Sequence, residues 1–391
     1  MNKFTLGIII TILVVPLFSQ ESNPKLTVGG YLKYMQTTTF TDIHEDWITD
    51  NLIHNRVDFA YYPKNYLSLN LSVRNRVFYG QQVQMLSLPS GNNLYAEMID
   101  NNTGFFDLTW NYFENNAFFF NTNIDRVYVD FQFADLAITT GRQRINWGQT
   151  FVWNPNDLFN AYNYFDFDYE EKPGTDAIRM QYYLNYASRL ELAAAVNTDT
   201  SITAAVLYQF NKWQYDIQFI SGLYRNDDVV VGTGWSGNLL KGAFRGEVSY
   251  FHPLENLSDT IGIAIVALGY DYTFKNSLML QFEYLFSSGI DSDTDFNMMA
   301  FYNQKLNAKN LGFFRHTIFG TLAYPITPIV SFAIAGMYSP TNNFTFIGPA
   351  LTVSLSDNFE LNLNVQSFFS DLPDNENGKG TYAFLRGRWS F

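Results

Sequence analysis

The sequence predicts an all-β fold: a closed antiparallel transmembrane β-barrel of about 18 strands, with 16 as the fallback. Three observations predict it. No apolar stretch after residue 20 reaches the ~18 residues that a membrane helix needs. Short segments alternate apolar and polar residues with period two, the signature of a strand with two different faces. The connectors between these segments alternate between tight and long, as in membrane barrels with short turns at one end and longer loops at the other. Composition agrees, with 18% aromatic and only 16% charged residues.

Taken in order, residues 1–19 read as a secretory signal peptide. Lys3 gives a positive start, Phe4 to Phe18 an apolar run of about 15 residues, and Ser19 a small residue near the cleavage point. Residues 20–391 then form one barrel domain. The chain has no cysteine, which excludes a lipoprotein and any disulfide.

The candidate strands are 25–40, 50–62, 65–79, 124–133, 136–147, 175–185, 188–197, 201–211, 213–223, 228–238, 242–252, 260–273, 277–287, 313–324, 328–339, 344–356, 358–368 and 380–391. In YLSLNLSVRNRVF, Leu67, Leu69, Leu71 and Val73 oppose Ser68, Asn70, Ser72 and Arg74. In RVYVDFQF, Val127, Val129, Phe131 and Phe133 oppose Arg126, Tyr128, Asp130 and Gln132. In 358–367, Leu361, Leu363 and Val365 oppose Glu360, Asn362 and Asn364. A soluble sandwich would turn the apolar face to a core; a membrane barrel turns it to lipid. Every long connector (80–123, 148–174, 288–312, 369–379) falls in the same set, and a Greek-key sandwich gives no reason for that. Trp213, Tyr215, Tyr270, Tyr272, Tyr284 and Tyr324 lie near strand ends in the lipid-facing register, as aromatic girdles do.

The last segment, TYAFLRGRWSF, alternates and ends in Phe391. It resembles the C-terminal signature of bacterial outer-membrane proteins. That resemblance implies recognition by the barrel-assembly machinery and residence in the outer membrane of a Gram-negative cell, among lipid and lipopolysaccharide.

The opposite register gives the expected lumen. It holds Arg56, Arg74, Arg76, Arg126, Arg142, Arg144, Arg179, Arg189, Arg386 and Arg388, with His54, Asp58, Asp130 and Glu191 among them. The second half supplies a sparser, more acidic wall with Gln214, Asp216, Gln218, Arg245, Glu247, Asp271, Gln281, Glu283 and Glu360. An arginine row offers bidentate partners to carboxylates or phosphates, and a focused field concentrates anions. The competing expectation is plain charge pairing, as in Arg56/Asp58, Arg126/Asp130 and Arg189/Glu191. The net charge of −13 is carried largely by loop acids in TDIHED, FDFDYEE, DSDTD and SDLPDNEN. Such loops suit divalent cations bridging to lipopolysaccharide, or are simply solvated.

The third long loop, 148–174, carries Phe151, Trp153, Phe159, Tyr162, Tyr164, Phe165, Phe167 and Tyr169. So many large rings rarely stay in water. The loop is therefore expected to pack into the barrel mouth as a constriction, with Asp157, Asp166, Asp168, Glu170 and Glu171 facing the passage or pairing with Arg142 and Arg144. The run GRQRINWG followed by VWNPNDLFN resembles bacterial outer-membrane porins, including alginate-export-like porins. The resemblance covers about 20 residues and implies an arginine-lined channel for acidic or polar solutes, with Arg142 and Arg144 at the motif positions.

The expected function is thus a porin for small polar, chiefly anionic, solutes. The alternative is a structural or secretion-associated barrel whose lumen is plugged by loops. None of the four histidines sits in a His-x-Ser pair, so no enzyme is expected. No metal cluster, cofactor motif or nucleic-acid patch is present in the sequence, and DSDTDFN lacks the glycine and distal glutamate of a calcium loop.

Overall fold

The computed structural model describes residues 25–391 except 45, 88–92, 100, 101, 103, 116, 162–163, 166–170, 256, 291–305, 342 and 372–376. The expected signal peptide lies outside the described residues, as do Tyr162, Asp166, Asp168 and Glu170.

The strands in chain order are β1 (Leu26–Phe40), β2 (Ile48–Lys64), β3 (Leu67–Gly80), β4 (Thr109–Tyr112), β5 (Phe118–Phe133), β6 (Leu136–Gln143), β7 (Thr175–Asn185), β8 (Ser188–Val196), β9 (Ile202–Lys212), β10 (Tyr215–Tyr224), β11 (Asp228–Leu239), β12 (Gly242–Pro253), β13 (Ile263–Thr273), β14 (Met279–Ser287), β15 (His316–Thr327), β16 (Val330–Ser339), β17 (Phe344–Ser356), β18 (Phe359–Asp371) and β19 (Asn377–Ser390). β4 is a four-residue strip inside the second long loop. The other 18 form a closed antiparallel wall: β1 pairs with β2 on one side and with β19 on the other, from Tyr31↔Ser390 to Phe40↔Thr381. Closure pairs every backbone edge, which a β-structure in hydrocarbon requires.

The two registers separate as period two demands. Val127, Leu363 and Leu385 are exposed on the outer face, while Asn362, Gln366 and Arg386 are buried on the inner one. The long connectors all lie at one end, and those at the other are turns of two to five residues. Trp213 and Gln214, expected in strand 213–223, instead form a two-residue turn with φ of 56° and 65°. That left-handed pair matches the twist of a tight hairpin. Gln214 is therefore not a lumen residue, and Trp213 stands on the turn with the Lys212 ammonium 4.6 Å from its ring.

Two irregularities shape the inner wall. On β5, Ser72 pairs with Arg126 and Val73 with Ile124, so Asp125 is an extra residue, a β-bulge. Phe119, Asn121, Asn123 and Asp125 face inward before it, and Arg126, Tyr128 and Asp130 after it. The second irregularity is β6, which ends at Gln143 rather than 147. The chain then leaves the wall for the lumen. β4 takes over beside β5, from Thr109↔Asn123 to Tyr112↔Phe120, where β6 would have continued.

Two clusters fill the long-loop end. Two short helices of the second loop, α1 (Gln81–Met85) and α2 (Leu94–Met98), bury Val83 and Ala96 against Met35, Leu52, Phe78 and Phe119. The third loop buries Ile145, Trp147, Val152, Trp153, Leu158 and Phe165 against the inner faces of strands from β7 to β18.

Candidate functional site

The site is built on one half of the wall. Direct cross-strand pairs run Arg76↔His54, His54↔Lys33 and Lys33↔Arg388, so four basic residues form one horizontal row over β3, β2, β1 and β19. One step toward the short-turn end, Arg74 pairs with Arg56 and Arg56 with Tyr31. Tyr31 sits among these cations: the Arg388 guanidinium lies 4.5 Å and the Lys33 ammonium 5.2 Å from its ring centre. Its hydroxyl donates to Glu171 of the third loop at 3.2 Å.

Most of the arginines have definite partners. Arg56 pairs with Asp58 at 3.0 Å and with the bulge residue Asp125 at 2.5 Å, with Glu171 4.0 Å away. Arg126 pairs with Asp125 at 3.4 Å and donates to the Lys172 carbonyl, while Asp130 accepts from Thr139 instead. Arg76 donates to Asn121 and to the Ile99 carbonyl. Arg179 and Arg189 both lie on Glu191, at 2.6 and 3.6 Å. Arg386 is 3.5 Å from Glu360. Arg74 is buried on the inner face of β3. Toward the short-turn end the wall opens into a cavity of about 750 Å³, lined by Arg56, Arg126, Arg144, Arg179, Asp58 and Asp130 with polar neighbours. Arg144 reaches it from beyond the end of β6 and is exposed.

The opposite wall holds the third loop. Glu247 on β12 accepts from the backbone N–H of Gln149, Thr150 and Asn156 and from the Thr150 hydroxyl, at 2.5 to 2.9 Å. Glu283 on β14 accepts from the N–H of Phe151, Val152 and Trp153, at 2.7 to 3.2 Å. Glu191 accepts from the Trp147 indole at 2.6 Å. All three carboxylates are fully buried. A loop without secondary structure must place its N–H groups somewhere, and a buried carboxylate needs several donors. Each requirement satisfies the other. Of the acids expected on the sparser wall, Glu247 and Glu283 are therefore taken up by the loop, whereas Asp271 pairs with Arg245 at 3.3 Å and Glu360 lies 3.5 Å from Arg386.

The constriction residues divide accordingly. Phe151 is partly exposed, with the Arg245 guanidinium 3.9 Å from its ring centre. Trp153 and Tyr164 meet Phe319 edge-on, and Phe159 meets Trp147 the same way. Asp157, expected to face the passage or to pair with Arg142 or Arg144, is buried, and the Lys172 ammonium is 3.6 Å away. Burial pushes its carboxyl up to about 7, against the pull of Lys172 and Arg144.

Arg142 is the main correction. It pairs directly with Val127 and Asp176, and Val127 is exposed on the outer face. Arg142 thus shares the outward register. β6 turns Ala137 and Thr139 inward, so the alternation places residue 142 on the other side. Its guanidinium bonds to Asp176 at 2.7 and 2.9 Å and to the Phe106 carbonyl, while Phe106 N–H donates to Asp176. The second loop crosses the rim here on Gly104, where a Cβ would lie 2.2 Å from Arg142 Nη2. Asp176→Asn should loosen this crossing by roughly 1.5–3 kcal/mol, the worth of a charged hydrogen bond. The readout is faster proteolysis of the second loop with an unchanged reversal potential; a shifted reversal potential would place Arg142 on the solute path after all.

Lys33 and Asp125 were missed in the sequence. Lys33 was legible, since Tyr31, Lys33 and Met35 alternate in YLKYM. Asp125 was not, because strict alternation sends it outward and only the bulge returns it.

No family model matches the sequence, and no curated protein matches it. Solved structures match in fold. Acinetobacter baumannii OccAB4 is 9% identical over 94% of this chain and 98% of its own, with a TM-score of 0.59. Pseudomonas aeruginosa OpdQ is 7% identical over 94% and 99%, also at 0.59. The outer membrane protein opdK from Pseudomonas aeruginosa is 7% identical over 93% and 98%, at 0.56. At these identities the likeness is one of fold, and the fold is that of outer-membrane porins.

Proposed function

We propose that the chain is an outer-membrane channel that passes small polar solutes and prefers anions. The observation that carries this reading is the cavity with four guanidinium groups, Arg56, Arg126, Arg144 and Arg179, beneath the basic row Arg76–His54–Lys33–Arg388. Cations outnumber acids on this wall, and a low-dielectric surround focuses their field. Carboxylates and phosphates fit forked guanidinium donors. The local resemblance to alginate-export-like porins points toward the same acidic or polar solutes. The short turns then face the periplasm and the long loops the exterior. Phe391, whose backbone pairs with Gly30 at 3.0 Å in both directions, ends the strand offered to the assembly machinery. Residues 1–19 direct export, and the acidic loops meet lipopolysaccharide.

Planar bilayers test this. A salt gradient across the purified barrel should give a reversal potential of anion-selective sign, reduced at high salt by screening. Arg56→Gln with Arg126→Gln should lower anion-over-cation permeability by about fivefold, the factor that ~1 kcal/mol of lost attraction gives. An unchanged potential would mean that these arginines only hold Asp125 and Glu171.

A second reading, a structural or secretion-associated barrel with a plugged lumen, is favoured by the depth of the third loop and its three buried carboxylate anchors. Absence of any conductance from the unmutated protein decides for it.

A further inference from the structure

On the outer face, far from the basic wall, one row of side chains is interrupted. The direct pairs Phe282↔Gly320, Gly320↔Gly336 and Gly336↔Ile347 set two glycines side by side between two large residues. Ile318, Phe282 and Ile347 are exposed around them, while Phe319 and Met337 face inward, so both glycines lie on the outer face. The result is a groove of about 770 Å³, lined by Tyr272, Phe274, Leu280, Phe282, Leu322 and Ile334 as well as the glycines.

Nothing inside the chain demands glycine at either place. A Cβ on Gly320 would come no closer than 3.7 Å to any atom, and one on Gly336 no closer than 3.8 Å. Neither has a left-handed φ. Glycine in a strand gives up packing and marks a close approach from outside. The approaching group is apolar, because bare backbone and mostly apolar side chains line the groove.

The groove's position identifies it. It starts at Phe274, on the turn after β13, and reaches the glycines four residues along β14 from Leu278. At ~3.3 Å per residue and a strand tilt near 40°, that is about 10 Å, close to half of the ~25 Å apolar belt of such barrels. This is one leaflet. Exposed cations stand at its mouth: Lys275 follows Phe274 on the same turn, and Lys241 lies on the neighbouring turn, whose carbonyls at Leu239 and Leu240 accept from the Tyr270 hydroxyl.

We propose that this groove is a binding site for an anionic phospholipid of the periplasmic leaflet, its phosphate at Lys275 and Lys241 and one acyl chain laid over Gly320 and Gly336. The assignment of leaflet rests on the outer-membrane orientation proposed above. A chain lying against bare backbone gains contacts that bulk lipid cannot make with a bulky face. The lysines supply the preference for negative headgroups, about fivefold each.

The test uses the full barrel in detergent, titrated with phosphatidylglycerol or phosphatidylcholine and read by native mass spectrometry. The wild type should retain one phosphatidylglycerol in preference to phosphatidylcholine. Gly320→Leu with Gly336→Leu should cut retention of both lipids about tenfold. Lys275→Gln with Lys241→Gln should remove the preference and leave phosphatidylcholine retention as it was. Heat-modifiable gel migration and β-sheet circular dichroism equal to wild type certify that each variant is folded, whether or not the barrel conducts. Equal lipid retention in the leucine variant overturns the site. So does a wild type that self-associates without lipid and becomes monomeric in the leucine variant, which would make the groove a contact between copies. A wild type that retains phosphatidylglycerol but conducts nothing upholds the lipid site and overturns the channel reading.

Discussion

Replacing Glu247 and Glu283 together by alanine should release the third loop from the wall and raise single-channel conductance. Each carboxylate is fully buried and holds three backbone N–H groups of residues 149–156. Removing an acceptor strands those donors in the barrel interior. Breaking one side of such a buried charged arrangement costs about 3–5 kcal/mol. At 1.4 kcal/mol per decade, each substitution moves the docked-to-free ratio by about two to three and a half decades. The wall itself stays intact, because both residues are side chains on otherwise regular strands. Larger and noisier unitary currents, with faster protease cleavage between residues 148 and 161, are the expected signs. Currents identical to wild type would show that the apolar cluster around Trp153, Phe319 and Phe346 holds the loop unaided, and that the glutamates are dispensable.

The second large effect is on pH. The Asp157 carboxyl of the third loop is buried and pushed up to about 7 by desolvation, well above the ~3.9 it has in water. The docked loop therefore binds a proton that the released loop gives up. Docking is at full strength below about pH 4 and weakens as pH rises from about 4 to 7. Over roughly three pH units at 1.36 kcal/mol each, the loss is on the order of 4 kcal/mol. Conductance should therefore be smaller and steadier at pH 5 than at pH 8. Asp157→Asn cannot ionise, so it should remove the Asp157 contribution and weaken the pH dependence across that range. A wild-type profile already flat from pH 5 to 8 would mean that Lys172, 3.6 Å away, keeps Asp157 charged throughout.

The run GRQRINWGQTFVWNPNDLF shows where local reading stops. Its arginines were the visible chemistry, yet Arg142 points outward and binds Asp176 under the second loop. Its quieter residues do the anchoring. Ile145, Trp147, Thr150, Trp153, Asn154, Asn156 and Leu158 are all buried. Asn156 reaches the Thr233 carbonyl and Ser249, while Gln218 holds the Trp147 carbonyl. Those partners are 71 to 93 positions away in the chain, and no window around the motif contains them. The same limit hid Asp125: one extra residue on β5 turns a carboxylate that period two sends to lipid into the partner of Arg56.

The sequence by itself determined the barrel, its inner and outer registers over most strands, the end that carries the long loops, and the aromatic weight that draws the third loop inward. These follow from period-two alternation and connector length, which neighbouring residues set among themselves. Only the tertiary structure decided that β6 leaves the wall at Gln143, that β4 fills its place, and that Glu247 and Glu283 grip loop amides. The physical reason is that a buried charge takes whatever donors the closed barrel brings to it, and closure joins residues that the chain keeps far apart.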